Sequence, residues 1–449
     1  MTSVLRDPDR TDTAFMTRRA WWLVGLNLLV PGSAQVLAGN RRAGRFGLAA
    51  TLVLWALVLL GAALALFARG LLLDLATNTW VLGGAVVVLA FYAVLWVAFT
   101  LDTLRLVQLV RVAPAARAFV AGLSVAALAA VSGTAAYSAV SVGAGIDLLE
   151  TVFAEGPSQP PIDGRYNILL LGGDAGPDRQ GLRPDSISVA SVDAETGQVT
   201  LIGIPRNLQQ VPFVEGSPLY EVLPNGYDCG RNCLIDYLYT YGELDWAHLY
   251  PDAADNNSSP GIEAMRDAVE GVLDITIPYY VLIDMQGFSD LIDAMGGIHI
   301  TLEERVAWGS NEDEYGNSIP PEGYLEAGEH HMDGDTALTY ARTRYGTSDY
   351  QRMQHQRQVQ EAMLEQFTPA TVLSNFVEIA AAGKQVVRTD IPQQMLSYFV
   401  QLAAKSKELP IQSFDLTPPE VDPEAPDYGL IRETVHGMLW PPAPETPAG

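Results

Sequence analysis

The sequence contains only two cysteines and none of the short motifs that mark common hydrolases and nucleotide-binding enzymes. It has no Walker phosphate loop, no Gly-x-Ser-x-Gly elbow and no His-Glu-x-x-His zinc motif. The glycine-containing turn at 172–176 resembles a dinucleotide-binding loop, but Pro177 and a further strand follow where that fold requires a helix. These absences argue against a nucleotide-binding enzyme, a serine hydrolase of that type and a zinc protease.

Positive charge is scarce and unevenly distributed. The 449 residues include 27 basic and 52 acidic side chains, a formal net charge of −25. Residues 1–150 contain 11 arginines, no lysine and 7 acids, whereas the remaining 299 residues hold 16 basic and 45 acidic groups, giving net charges of +4 and −29. So acidic a chain argues against nucleic-acid binding, which requires a basic face. The contrast indicates that the two parts lie in different solvents.

Three apolar segments in the first part are long enough to cross a membrane, at about 46–68, 80–100 and 118–142. A helix of about 20 apolar residues spans the roughly 30 Å hydrocarbon core. An earlier segment, 21–37, is interrupted by Pro31-Gly32 and carries polar side chains. This interruption predicts a re-entrant or interfacial piece, so we expect a cytoplasmic N-terminus at 1–20 and a membrane region at 21–142.

The arginines near these segments predict the orientation, because basic residues beside membrane spans tend to stay in the cytoplasm. Arginines flank the segment 21–37 on both sides, and Arg105, Arg111 and Arg117 fill the loop before the third span. Three spans with one re-entrant piece place the C-terminal part outside; four spans would also place the N-terminus outside. Both arrangements predict a multi-pass protein of the cell membrane with an extracytoplasmic C-terminal domain.

A linker at 143–164 leads into a second pattern, a mixture of short apolar strands and amphipathic helices from 165 to 440, before a proline-rich tail at 441–449. This order predicts an α/β domain with a mixed central sheet, arranged as a three-layer αβα sandwich. The segment at about 214–260 fits the pattern poorly and is predicted to be largely a surface insertion. It contains Cys229 and Cys233, whose spacing favours a local disulfide, with free thiols as the alternative.

Arginines recur at the predicted ends of secondary structure elements. Arg183 lies at the start of one predicted strand, Arg206 follows another, and Arg342 and Arg344 lie at the end of a third. Because alternate residues of a strand point the same way, Arg342 and Arg344 are predicted to present their guanidinium groups from one face. Arg352 and Gln356, four residues apart, share one face of the last long helix. Because guanidinium groups bind phosphate oxygens bidentately, this pattern indicates a polyanion pocket. Taken singly, each arginine could instead pair with a surface acid.

Two acids, Asp174 and Asp185, lie in the same loops on consecutive predicted strands. Carboxylates from neighbouring strand ends can share Mg²⁺ (or Mn²⁺), which commonly completes its shell with water and substrate phosphates. Arginines together with a carboxylate-bound cation indicate a diphosphate. The residues alone therefore predict extracytoplasmic phosphoester chemistry.

Seven motifs in order carry a resemblance to a known family. The motifs are Asn167-Ile-Leu-Leu-Leu-Gly-Gly-Asp174, Arg183-x-Asp185, Ile204-Pro-Arg206, Asp293-Ala-Met-Gly-Gly297, Gly334-Asp-x-Ala-Leu338, Ala341-Arg-Thr-Arg344 and Asp349-x-x-Arg352-x-x-x-Gln356. With these motifs the sequence resembles the LytR-CpsA-Psr (LCP) family, whose members are membrane-anchored and transfer glycopolymers from a polyprenyl-pyrophosphate lipid to the cell wall, usually to peptidoglycan.

The resemblance implies roles for these positions. Asp174 and Asp185 would hold Mg²⁺, and together with Arg206 and Arg344 they would form the catalytic set. The pyrophosphate would be surrounded by six side chains, those of Arg183, Arg206, Arg342, Arg344, Arg352 and Gln356. A sugar hydroxyl would attack the phosphorus next to the glycan, and one of the two Asp residues could also accept its proton.

The sequence departs from the family pattern at Asn207, where an Asp is common, and at His355, where an Arg is common. The first departure removes a charge that could orient Arg206, and the second could weaken phosphate binding or make it pH-sensitive. Two alternatives to the transferase remain open at this stage: a non-catalytic binder or regulator that holds polyprenyl lipids, and a polyprenyl-pyrophosphate pyrophosphatase. Val281, Ile283, Phe288, Leu291 and Ile292 are candidate walls for the lipid, although core packing explains them equally well.

Overall fold

The computed structural model describes residues 6, 8–9, 11–154, 158–174, 183–309, 319–346, 348–366, 375, 378–382, 387–407 and 409–441. The chain divides into two compact units, Met1–Asp147 and Leu148–Gly449. Each unit has a hydrophobic core of its own.

The first unit is helical. Its helices are α1 (Thr13–Leu29), α2 (Ser33–Ala38), α3 (Arg41–Phe67), α4 (Arg69–Ala76), α5 (Thr79–Val107) and α6 (Pro114–Val152), the last of which runs on into the second unit. As predicted, three of them are long and apolar enough to cross a membrane: α3, α5 with the short turn that extends it to Arg111, and α6. The Asn40 and Asn78 side chains each accept hydrogen bonds from two backbone N–H groups in the first turn of α3 and α5, respectively, and so cap the start of these helices.

The interrupted segment forms the separate helices α1 and α2. The break lies at Gly32, whose φ of 95° favours glycine and where a Cβ atom, if present, would lie 2.7 Å from a backbone oxygen of α3. Polar side chains on both sides of the break bond to α5: Asn27 Nδ2 donates to Thr100 Oγ1 at 3.2 Å, and Gln35 Nε2 donates to Thr103 Oγ1 at 3.0 Å. These buried bonds explain why polar residues occur in an otherwise apolar stretch.

The second unit is built on a mixed six-stranded sheet with the order β10-β3-β2-β1-β4-β9, which confirms the predicted fold class. Strands β1–β2, β2–β3 and β4–β9 pair antiparallel, whereas β1–β4 and β10–β3 pair parallel. Two small antiparallel pairs, β5–β8 and β6–β7, lie apart from this sheet. The strands are β1 (Arg165–Asp174), β2 (Arg183–Asp193), β3 (Val199–Ile204), β4 (Tyr279–Asp284), β5 (Ile298–Leu302), β6 (Val306–Trp308), β7 (Gly323–Leu325), β8 (Gly328–Met332), β9 (Val387–Thr389) and β10 (Gln412–Asp415).

Helices cover both faces of the large sheet. They are α7 (Tyr237–Leu244), α8 (Pro260–Leu273), α9 (Met285–Ala294), α10 (Gly334–Arg342), α11 (Asp349–Gln366), α12 (Leu396–Ser406) and α13 (Tyr428–Leu439). Side chains alternate along β1, so that Leu169 packs into a core with α7, α8 and α13, whereas Ile168 and Leu170 line a cavity on the opposite face.

The segment at 214–260 contributes to the main core and is not confined to the surface. Leu219, Ile235 and Leu238 are fully buried there among residues of the sheet and α8. Cys229 and Cys233 form a disulfide within the same segment. The apolar side chains around α7 therefore outweigh the polar composition that suggested an insertion exposed to solvent.

The Glu270 carboxyl on α8 is partly buried, and we predict that this helix loses stability as the pH rises. Glu270 Oε1 accepts a hydrogen bond from the Ile277 N–H at 2.6 Å, and burial raises the pKa of Glu270 to about 7. The pKa of Glu270 is higher in the folded chain than in the unfolded chain, so its protonation favours the folded state. This contribution to the free energy of unfolding is fully present below about pH 4.5 and is lost as the pH rises through about 7. We expect Glu270→Gln to remove on the order of 2 kcal/mol of this pH dependence.

Hydrogen exchange of the α8 amides in the full chain between pH 5 and 8, corrected for intrinsic rates, measures this effect. The matched control is Glu433→Gln, at an exposed position of α13. An equal loss of protection with pH in Glu270→Gln and in the unchanged chain would contradict the prediction.

Candidate active site

Asp185, near the start of β2, pairs with three arginines from different elements. Its Oδ1 lies 2.5 Å from Arg206 Nη1, 3.6 Å from Arg352 Nη1 and 3.9 Å from Arg344 Nη2. Arg352 also donates from Nη2 to the backbone carbonyl of Asp185 at 3.3 Å. The structure therefore brings together four of the residues that the sequence analysis singled out.

Asp349, at the start of α11, forms a second centre for the same arginines. Its Oδ1 lies 3.5 Å from both Arg206 Nε and Arg344 Nε, and its Oδ2 accepts from Arg352 Nη2 at 3.0 Å. Asp349 belongs to the last of the seven motifs, but its position in the sequence predicted no role for it. Asp349 precedes Arg352 by three residues on a predicted helix, and this spacing could have indicated that the two side chains form an ion pair.

The electrostatics keep this cluster ionised. Burial alone would raise the pKa of Asp185, but the neighbouring Arg206, Arg352 and Arg344 hold it below its usual range. Burial lowers the pKa of the Arg352 guanidinium, which is only 2% exposed, but an arginine remains charged at any ordinary pH. The cluster is thus a set of fixed, partly desolvated charges.

Arg183 and Arg342 border the same cavity from further away. The Arg183 guanidinium carbon lies 5.0 Å from the centre of the Tyr237 ring, a cation–π contact. Arg342 is the last residue of a helix, α10, so the prediction that Arg342 and Arg344 end a strand is wrong. The Asp333 cap and the helical spacing of Ala337, Tyr340 and Ala341 explain the difference. Both arginines line the cavity nevertheless.

Asp236, which the sequence analysis missed, lies just before α7 and borders the same cavity. It is 3% exposed, its backbone N–H donates to the Arg206 carbonyl at 3.3 Å, and its Oδ1 has no hydrogen-bond partner within the described residues. Burial raises the pKa of Asp236 to about 6, although Arg206 and Arg183 oppose the shift. Nothing in the local sequence distinguishes it from the many other acids of this domain.

A cavity of about 940 Å³ extends from the arginines along the sheet. Its charged lining is concentrated where β1 ends and β2 begins, and the rest of its lining is mostly apolar. The candidate walls Val281, Ile283 and Phe288 do line it, whereas Leu291 and Ile292 pack in a neighbouring core cluster. Other apolar lining residues include Ile168, Leu170, Ala190, Val192, Leu201, Leu338, Met363, Leu396, Phe399 and Leu402.

The remaining predicted positions divide between the cavity and the core. Gln356 lines the cavity beside Arg352. His355 instead stacks on the Tyr340 ring at 4.3 Å, and burial lowers its pKa, which keeps it neutral at pH 7. Asn207 Oδ1 is buried and has no hydrogen-bond partner among the described residues. The His355 side chain, which stands where the family commonly has an arginine, therefore packs against the buried Tyr340.

The two predicted ligands of a divalent cation lie on the neighbouring strands β1 and β2. Asp174 ends β1 and pairs in register with Arg183, so its backbone lies beside the cluster, but its carboxylate falls outside the described residues. Asp185 is of the type that Mg²⁺ prefers, an ionised carboxylate at a strand end. Within the described ranges, there is no group of three or more His, Cys, Asp or Glu suited to a metal. Of the two predicted ligands, the structure thus describes only the Asp185 carboxylate, which pairs with three arginines.

Comparison with known proteins gives a family match. Residues 150–429 match the model of the LytR_cpsA_psr family. A polyisoprenyl-teichoic acid–peptidoglycan teichoic acid transferase TagU from Enterococcus faecalis is 28% identical over 249 residues, which cover 54% of this chain and 67% of that protein. The TagU of Halalkalibacterium halodurans is 30% identical over 230 residues, which cover 50% of this chain and 61% of that protein. The chain thus spans about two thirds or less of these relatives.

Solved structures show weaker similarity. A crystal structure of TagV from B. subtilis has a TM-score of 0.44 and 22% identity, covering 62% of this chain and 98% of that one. A structure described as TagT bound to LIIa-WTA has a TM-score of 0.41 and 21% identity, covering 63% of this chain and 92% of that one.

Proposed function

The chain belongs to the LytR-CpsA-Psr family, and from this premise we propose that it transfers a glycopolymer from a polyprenyl-pyrophosphate lipid to a hydroxyl of a cell-wall sugar. The acceptor in this proposal is peptidoglycan, as in the names of the related transferases. The product is a phosphodiester, and the lipid leaves as polyprenyl phosphate.

One observation carries the proposal: the arginine cluster lies at the head of a large apolar cavity. Such a site matches an amphiphile with an anionic head and a long hydrocarbon tail. Burying apolar surface provides affinity for the tail at roughly 25 cal/mol per Å², and the guanidinium groups provide charge-assisted hydrogen bonds for phosphate oxygens. A soluble phosphate ester would leave the apolar part of the cavity without a function.

In the proposed complex, the two phosphates displace the carboxylates of Asp185 and Asp349 as partners of some guanidinium groups. Arg206, Arg344 and Arg352 are already held in place by these acids, so they need little reorganisation when the diphosphate binds. Such preorganised charge stabilises the transferring phosphoryl group more effectively than water does. Arg183, Arg342 and Gln356 complete the shell in this proposal.

Asp174 and Asp185 are the residues proposed to hold Mg²⁺ or Mn²⁺. The cation, when bound, supplies further electrostatic stabilisation of the phosphates. The β1–β2 register supports this proposal, because it pairs Asp174 on β1 with Arg183 on β2, and Asp185 follows Arg183 by two residues.

We further propose that this domain is extracytoplasmic. The three apolar helices and the arginine-rich segments between them support this placement, since three spans and a cytoplasmic N-terminus put the second unit outside. The disulfide between Cys229 and Cys233 is also typical of an oxidising compartment.

The test uses the purified full chain in nanodiscs, with a polyprenyl-pyrophosphate-linked glycan, a peptidoglycan fragment as acceptor, and Mg²⁺. We expect a glycan–phosphate–acceptor conjugate and free polyprenyl phosphate, identified by mass spectrometry. Lipid binding without turnover would favour the non-catalytic binder. Release of polyprenyl phosphate and glycan phosphate at the same rate with and without the acceptor would favour the pyrophosphatase.

A further inference from the structure

Asp236 is a buried acid that the proposed mechanism does not yet use. It lies in the same cavity wall as Arg183 and Arg206, two of the arginines proposed to bind the diphosphate. Its Oδ1 has no hydrogen-bond partner among the described residues, although it is nearly inaccessible to solvent. A buried polar atom without a partner costs free energy, so its retention here calls for a ligand or a chemical role.

A purely structural role explains Asp236 poorly. An aspartate at this position could cap α7, but its side chain makes no capping hydrogen bond. It could neutralise an arginine, but Arg206 already pairs with Asp185 and Asp349, and Arg183 stacks on Tyr237. Among the described residues, the Asp236 carboxylate therefore lies near both arginines without forming an ion pair with either.

We propose that Asp236 is the general base that accepts the proton of the acceptor hydroxyl. The inference rests on the proposed transferase function and adds a catalytic residue to it. The acceptor hydroxyl would bind between the Asp236 carboxylate and the phosphorus next to the glycan.

Asp185 and Asp236, the partly buried and the buried acid of the cavity wall, differ in the way that acid–base chemistry requires. Three arginines hold the pKa of Asp185 low, which makes it a weak proton acceptor, whereas burial raises the pKa of Asp236 to about 6, closer to working pH. The charged and titratable groups that act on Asp236 are Arg183, Arg206, Asp185, Asp349 and Tyr227. The negative charge of a bound diphosphate would by itself raise the Asp236 pKa further, whereas a cation on Asp185 would oppose this shift.

The step balances without any further reactant. The acceptor oxygen forms a bond to the glycan-side phosphorus, and its proton moves to the Asp236 carboxylate. The bond from that phosphorus to the bridging oxygen breaks, and its electron pair leaves with polyprenyl phosphate. Asp236 then releases the proton through the cavity that it borders, once the products have left.

The test compares Asp236→Asn and Asp236→Ala with the unchanged full chain in the transfer assay. We expect kcat to fall about 100-fold in both variants, within the range typical of general-base loss. The acid limb of kcat/KM, expected near pH 6 in the unchanged chain, should be absent in Asp236→Asn. Formate should restore activity at least 10-fold to Asp236→Ala, whose cavity admits it, and not to Asp236→Asn.

Two controls separate a chemical role from a structural one. Affinity for the lipid substrate should stay within about threefold, and the melting temperature of Asp236→Asn should not fall, because the variant removes a buried charge. Asp228→Asn changes an exposed acid of the same segment and should leave kcat and its pH profile unchanged.

The outcomes distinguish this inference from the function on which it rests. If the unchanged chain transfers glycan and Asp236→Asn does so equally well with the same acid limb, the inference is overturned while the transferase stands. A fall in kcat that formate does not rescue, accompanied by weaker lipid binding, would also overturn it in favour of a binding role. If the unchanged chain transfers no glycan, the proposed function itself fails.

Discussion

An Arg206→Ala variant is expected to lose glycopolymer transfer by about 1,000-fold, since removing one preorganised charge donor from an active site commonly costs that much. Arg206 is central to the cluster: its Nη1 bonds to Asp185 at 2.5 Å, and its Nε lies 3.5 Å from Asp349. Its removal also leaves both carboxylates with less compensation. We expect a loss in kcat rather than only a rise in KM, because the charge on the phosphoryl oxygens is redistributed in the transition state.

Arg206→Lys tests geometry separately from charge. Lysine keeps the positive charge but lacks the planar fork that reaches two carboxylates at once, so we expect it to recover only part of the lost rate. The matched control is Arg357→Lys on α11, where the arginine pairs with Asp415 at 2.8 Å outside the cluster. Steady-state kinetics on the purified full chain measure all three variants. An Arg206→Ala enzyme with kcat within tenfold of the unchanged chain would contradict the assignment.

The pH profile gives a second measurement on an Arg206 variant that retains measurable activity. Arg206 lowers the pKa of Asp236, so its removal should move the acid limb to higher pH. A limb at unchanged pH would mean that the group titrating in catalysis lies elsewhere.

The core of the fold and most of the cluster could be predicted because their patterns are local. Apolar runs ending in glycine and aspartate predicted β1, and the Glu195-Thr-Gly197 turn predicted the β2–β3 hairpin, where Gly197 has a φ of 81°. The arginines could be predicted as pocket residues because they lie next to the ends of these elements in the sequence.

Two features could not be predicted because they depend on distant parts of the chain. Asp236 is significant only since folding brings it near Arg183 and Arg206, which lie 53 and 30 residues away in the sequence. The helix α10 is short, and nine residues show too few helical turns to exclude a strand by periodicity. Contacts between distant parts of the chain determine both the position of Asp236 and the helical conformation of α10.

The last prediction concerns the apolar part of the cavity, which we expect to determine which lengths of lipid tail the enzyme accepts. Ala190 lies on β2 between Ile168 on β1 and Leu201 on β3, and all three side chains line the cavity. Ala190→Trp would fill part of this space with an indole ring. The backbone of the sheet should tolerate the change, since the side chain points into open volume rather than into the packed core.

We expect Ala190→Trp to lower kcat/KM for long polyprenyl substrates by about 100- to 1,000-fold. Excluding one five-carbon isoprene unit forfeits about 3–4 kcal/mol at roughly 0.8 kcal/mol per buried carbon. Substrates with tails short enough to stop before Ala190 should be affected less than threefold, because their arginine contacts are unchanged. A graded series, Ala190→Val and Ala190→Leu, should give intermediate losses.

Kinetics with a set of synthetic polyprenyl-pyrophosphate glycans of different tail lengths measure this effect. Leu430→Trp adds an indole at a position that is 50% exposed on α13, on the other side of the sheet, and serves as the control for bulk alone. An equal loss for short and long tails in Ala190→Trp would indicate general damage to the fold. Full activity with long tails would show that the lipid binds elsewhere, because a tail in this cavity cannot share the volume of the indole ring.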